Sequence, residues 1–150
     1  MSIGEFCNRE VVIIAREATV GEAARLMRSL HVGSLVVVDE VIGGKRVPVG
    51  IVTDRDLVVE IMATGLDPAT ITVSDIMAPG LATAREGDEL LPTIELMHVK
   101  GVRRLPVVDA EGALAGIISI DDLTAVMSDH LSALTKAIAR EQAREARDRK

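Results

Sequence analysis

Apolar residues in this chain come in short dense runs separated by polar turns, and the spacing within each run predicts the element it forms. Val11-Val12-Ile13-Ile14, bounded by Arg9-Glu10 and Arg16-Glu17, reads as a short buried strand. Thr19-Val20-Gly21-Glu22 has the form of a capping box, and Val20, Ala23, Ala24, Met27 and Leu30 then share one face of a helix that His31-Val32-Gly33 ends. Ser34 to Asp39 and Pro48 to Val52 are almost continuously apolar. They predict a hairpin joined by the Gly43-Gly44 loop, with cover on both faces. Leu57, Val58, Ile61 and Met62 follow as a helical stripe, with Gly65 as its C-cap.

The second half repeats the order. Asp67-Pro68-Ala69-Thr70 begins a linker, Val73 to Met77 reads as a short helix, and Pro79-Gly80 closes the linker. Leu81-Ala82-Thr83-Ala84 stands where the first half has its apolar strand, with smaller residues that widen a cleft beside them. The next helix runs from about Glu89 to Lys100, with Pro92 tolerated in its first turn. Leu26-Met27 aligns with Leu96-Met97, and Val37-Val38-Asp39 with Val107-Val108-Asp109, at an offset of 70. Thr53 aligns with Ser119 at 66, so the first copy has a loop longer by four residues. Two copies of this length indicate a tandem duplication, with halves packed face to face about a pseudo-two-fold axis.

The most informative stretch is also doubled. Gly50-Ile51-Val52-Thr53-Asp54-Arg55-Asp56-Leu57 and Gly116-Ile117-Ile118-Ser119-Ile120-Asp121-Asp122-Leu123 each run from a strand directly into a helix. Such a corner suits a nucleotide: the first N–H groups of the helix attract phosphate, Thr53 or Ser119 adds a hydroxyl, and Asp56 or Asp122 can accept from ribose hydroxyls. The same residues equally make N-caps and the acidic third position of a capping box. Arg55, a cation in a helix's first turn, is either a phosphate clamp or the partner of Asp54 or Asp56.

The doubled Gly-apolar-apolar-Thr/Ser-x-x-Asp signature and the Leu105-Pro106-Val107-Val108-Asp109 run resemble a tandem pair of cystathionine-β-synthase (CBS) domains over about residues 8 to 134. The resemblance implies an α+β fold of two β-α-β-β-α repeats, at residues 8–66 and 80–134, joined by a linker at 67–79. It implies a module that binds AMP, ADP, ATP or, less readily, S-adenosylmethionine between the repeats, with Mg²⁺ only beside a polyphosphate. Ile51, Thr53, Arg55, Asp56, Ile117, Ser119 and Asp122 are then the site residues. Arg103 joins them, because that position commonly reaches ligand phosphates in the family. Of the adjacent pair Arg103 and Arg104, strand alternation sends one toward the cleft and the other away. Gly33 stands where the second repeat has Arg103, and Asp121 where the first has Arg55, so at most one site is expected to hold a polyphosphate tightly.

Composition narrows the function further. Phe6 is the only aromatic residue and the net charge is −6, which oppose stacking on single-stranded nucleic acid and binding to a phosphate backbone. Adenine must therefore lie between aliphatic side chains. One cysteine, Cys7, permits no internal disulfide, and with no apolar run near ~20 residues the expectation is a cytoplasmic protein without a membrane span. His31 and His98 have no partner at metal-ligand spacing, and no nucleophile stands with a base, so an enzyme is not expected. Leu123, Val126, Met127, His130 or Leu131, Leu134 and Ile138 continue a stripe into a charged helical tail, residues 135–150. That stripe fits the homodimers CBS pairs form. The expected roles are a regulatory nucleotide-binding module acting on an unidentified partner or, alternatively, a structural dimerisation module.

Overall fold

Two halves of the same design emerge in the computed structural model, which describes residues 1–149. The first comprises β1 (Ile13–Ala15), α1 (Val20–Leu30), β2 (Ser34–Val41), β3 (Lys45–Thr53) and α2 (Asp54–Asp56), which continues as π-helical turns over Leu57–Met62. After α3 (Val73–Ile76) in the linker come β4 (Ala84–Arg85), α4 (Leu90–Lys100), β5 (Arg104–Val108), β6 (Leu114–Ser119) and α5 (Ile120–Asp148). Each half builds a three-stranded sheet, β1-β2-β3 or β4-β5-β6, in which the first strand is parallel to the second and the hairpin is antiparallel. The matching hairpins pair Ser34 with Thr53 and Arg104 with Ser119. This α+β duplication is the expected architecture.

Strand alternation divides each hairpin between two cores. Leu35, Val37 and Val52 point to a helix-covered cluster with Ala23 and Met27; Leu105, Val107 and Ile118 do the same with Leu90, Met97 and Leu123. The alternate residues Val36, Val38, Pro106 and Val108 are buried too, yet belong to neither cluster. They cover the opposite sheet faces, where β3 and β6 meet. Burial on both faces explains the near-continuous apolar runs.

The segments that precede the repeats are exchanged. A 3₁₀ turn, Ile3–Glu5, packs on the second repeat, where the Ile3 and Gly4 N–H groups donate to Asp88 and Glu86 carbonyls at 2.8 and 2.9 Å. In the linker, the Val73 and Ser74 N–H groups donate to Ala18 and Arg16 at 2.8 and 3.0 Å, so α3 packs on the first repeat. Every residue in one set lies 70 positions from its counterpart in the other. Ile3 is thus part of the second repeat's core, and Val73 part of the first's.

The exchange makes two glycines unequal. A Cβ on Gly116 would stand 2.7 Å from Cys7 Sγ and 2.9 Å from the Asn8 carbonyl oxygen, whereas one on Gly50 would meet only the Met77 side chain, with Sδ at 2.6 Å. Backbone cannot step aside as a thioether can. Gly116→Ala is therefore expected to cost about 1–3 kcal/mol, and Gly50→Ala less, by urea denaturation.

The structure also departs from the pattern in places. The hairpin of the first half is longer than its apolar run, because Glu40, Val41, Lys45 and Arg46 extend the pairing into solvent. In the π-helical turns Ile61 is buried and Leu57 packs on the core, but Val58 and Met62 are exposed. The wider turn, closed by bonds such as Ala63 N–H to Val58 C=O, breaks the α spacing the stripe assumed. Helix α5 runs without a break across residue 134, and Leu131, Leu134 and Ile138 are exposed along it. Lys150, the last residue of the tail, lies outside the described residues.

Candidate functional site

Both corners form as capping boxes. Thr53 Oγ1 accepts from the Asp56 N–H at 3.2 Å, and an Asp56 carboxylate oxygen accepts from the Thr53 N–H at 2.8 Å. In the second corner the Asp122 N–H donates to Ser119 Oγ at 3.1 Å, while Asp122 Oδ2 accepts from the Ser119 N–H at 2.8 Å and from its hydroxyl at 2.6 Å. Capping engages one carboxylate oxygen of each acid. Among the described residues nothing donates to Oδ1 of Asp122.

Beside the second corner lies a hollow of about 220 Å³ between the repeats. Ile117, Ser119 and Asp122 form one side, Val32, Ser34 and Val36 of the first repeat the other, and Arg104 reaches in from β5. Asn8, Glu10, Val11 and Val12 of the N-terminal strap complete the wall. The strap is held by a pair of backbone bonds, Asn8 N–H to Ile117 C=O at 2.8 Å and Ile117 N–H to Asn8 C=O at 2.9 Å. The Arg9 guanidinium fastens it further, on the Gly4 carbonyl at 2.8 Å, the Ala115 carbonyl at 3.2 Å and the Glu86 carboxylate. The apolar part of the wall, Val11, Val12, Val32, Val36 and Ile117, is aliphatic, and the other lining residues are polar or charged.

The structure gathers some of the expected site residues and separates others. Ile117, Ser119 and Asp122 meet in this hollow, whereas Ile51, Thr53, Arg55 and Asp56 stand outside its lining at the first corner. Thr53 remains one strand away, paired with Ser34 on the hollow's wall. Arg103 lines a different, apolar hollow of about 510 Å³ between α4 and α5, with Ile94, Met97, Leu123 and Met127. Arg104 occupies the cleft instead. It shares a strand face with Pro106 and Val108, toward the other repeat, and is half-buried with no ion pair among the described residues. Arg55 is exposed and makes no ion pair among the described residues, so of the two alternatives the pairing with Asp54, Asp56 or a neighbour is not formed.

The remaining repeated motif has a different job in each half. Arg16 donates to Asp39 through Nε at 2.8 Å and Nη2 at 2.5 Å, and that guanidinium holds the Asp39 carboxyl below its ordinary value. Asp109 instead closes a turn, accepting from the Glu111 and Ala113 N–H groups at 2.8 and 2.9 Å. Cys7 is packed under Gly116, and burial pushes its thiol above the ordinary value, which disfavours the reactive thiolate. Among the described residues no three His, Cys, Asp or Glu side chains stand close enough to hold a metal, and no helix is long and apolar enough to cross a membrane.

A duplicated α+β unit with a hollow between its two sheets is a tandem-repeat module. The chain belongs to the CBS-domain family: the family model for the CBS domain matches residues 3–63 and 73–129. An uncharacterized protein, MK0525 of Methanopyrus kandleri, is 38% identical over 126 residues, covering 84% of this chain and 62% of its own length. An inosine-5'-monophosphate dehydrogenase of Methanocaldococcus jannaschii is 34% identical over 115 residues, covering 77% of this chain. The chain spans only 21% of that enzyme. The solved structure of CBSX2 in complex with AMP is similar with a TM-score of 0.69 at 25% identity, covering 85% of this chain and 96% of CBSX2.

Proposed function

We propose that this chain is a regulatory module that binds an adenosine nucleotide in the hollow between its repeats and passes energy or metabolite state to a partner protein. The observation that carries the reading is the convergence of Ser119, Asp122 and the unpaired Arg104 on one aliphatic-walled hollow shared by both halves. A ribose, a phosphate and a base each find a chemically suited neighbour there. The AMP complex of CBSX2 supports the choice of adenosine. The ligand class remains AMP, ADP, ATP or S-adenosylmethionine, with Mg²⁺ accompanying only a polyphosphate, and no catalytic step is assigned.

A nucleotide that bridges two repeats signals by binding one arrangement of them better than another, which shifts their populations. Self-association gives that shift a larger reach. The exposed stripe Leu131, Leu134 and Ile138 on α5 supports a homodimer, the arrangement expected from the sequence. A purely structural dimerisation module would share that stripe but have no use for an unpaired Arg104 in a cleft.

Titration with AMP, ADP, ATP and S-adenosylmethionine while following the melting temperature separates the two. A ligand present at 100 times its Kd is expected to add ~2.7 kcal/mol of stability. No shift with any of the four would leave the structural role.

A further inference from the structure

Three charged side chains line the hollow: Arg104, Asp122 and Glu10. One cation therefore faces two carboxylates. Asp122 is accounted for at its corner, which leaves Glu10 as the other carboxylate sharing the lining with Arg104. Glu10 is set in place by its backbone, since its N–H donates to Asn8 Oδ1 at 2.9 Å and Asn8 is bridged to Ile117 on both sides. Its neighbour Arg9 does not offset the charge, being engaged with Glu86. The Glu10 carboxylate itself has no ion pair among the described residues. Asp121, in the first turn of α5, adds another negative charge at the same corner.

The other half lacks this arrangement. Seventy positions after Glu10 the chain has Gly80, and the first corner carries Arg55 where the second carries Asp121. The acidic bias belongs to one site. Size acts in the same direction, because about 220 Å³ lies below the ~300–1,000 Å³ of sites that enclose drug-sized ligands.

Building on the nucleotide reading above, we propose that this hollow accepts an adenosine ligand of low charge, a nucleoside or nucleoside monophosphate, and rejects the triphosphate, with Glu10 as the specificity-determining residue. One phosphate can pair with Arg104, the one cation in the lining. Each further phosphate brings charge toward Glu10 and Asp121 with no second cation in the lining; both carboxylates are exposed, so the repulsion is screened by salt and is strongest at low ionic strength.

The test is calorimetric titration of the full chain with adenosine, AMP and ATP at one ionic strength. AMP is expected to bind at least about tenfold more tightly than ATP. Adding Glu10→Lys should narrow or reverse that ratio by about tenfold while leaving adenosine affinity unchanged, and Glu10→Gln should do so by less. ATP binding as tightly as AMP before position 10 is changed would overturn the charge selection while leaving the nucleotide reading intact. Equal shifts for adenosine and ATP in Glu10→Lys would overturn the role of Glu10, since they report packing rather than charge. If none of the three binds, the nucleotide reading itself falls, and the selectivity with it.

Discussion

Ile3→Ala is expected to destabilise the second repeat, not the first, by about 2–5 kcal/mol. Ile3 is fully buried among Leu90, Leu105, Val107, Ile118 and Leu123, although some eighty residues separate it from β4 and the start of that repeat. Truncating it forfeits the transfer free energy of the deleted buried methyl groups and leaves a cavity that β5 and β6 cannot collapse into, because the other sheet backs them. Deleting residues 1–7 should do more, since Phe6 and Cys7 pack on the same cluster and the strap loses its anchor. Residue-resolved hydrogen exchange gives the decisive reading. The amides of Leu105, Val107 and Ile118 should lose protection well before those of Leu35, Val37 and Val52. Equal losses in both sheets would mean that the exchanged segment stabilises the pair as a unit rather than one repeat.

That exchange was legible only in part. The offset of 70 and the apolar runs disclose the duplication, the hairpins and the paired corners, because those depend on local spacing and on turn residues. They also place Val73 in a short helix. Nothing in the spacing says that this helix serves the repeat before it while Ile3–Glu5 serves the repeat after it, because docking across the dyad is a matter of tertiary geometry. The arginine pair teaches a finer lesson. Arg104 has the parity of Pro106 and Val108, Arg103 that of Leu105 and Val107, and only the latter residues join the helix-side core. The alternation was present in the sequence, but strands buried on both faces are apolar at every position, so nothing marked which face looked toward the other repeat. Glu10 escaped for another reason. It lies in a segment without regular structure, brought to the hollow by its backbone bridge to β6.

Asp122→Ala is expected to abolish the ligand-induced rise in melting temperature, a loss of ~2.7 kcal/mol of stabilisation at a ligand concentration 100 times Kd. The same change removes the acceptor for the Ser119 N–H, so the ligand-free protein should also lose about 0.5–2 kcal/mol, the usual cost of a lost cap. Stability alone cannot separate a cap from a ribose contact, and Asp56→Ala supplies the comparison. Its two backbone capping bonds match those of Asp122 in kind and length, and it lacks only the further bond that Asp122 accepts from the Ser119 hydroxyl, so it should cost no more than Asp122→Ala without ligand. Asp56 stands outside the hollow, however, and the variant should keep its response to ligand. The two carboxylates thus perform one structural task in common, and only the one facing the shared crevice has a second. A persistent melting shift in Asp122→Ala would reduce both acids to helix caps and move recognition of the sugar to other groups on the wall.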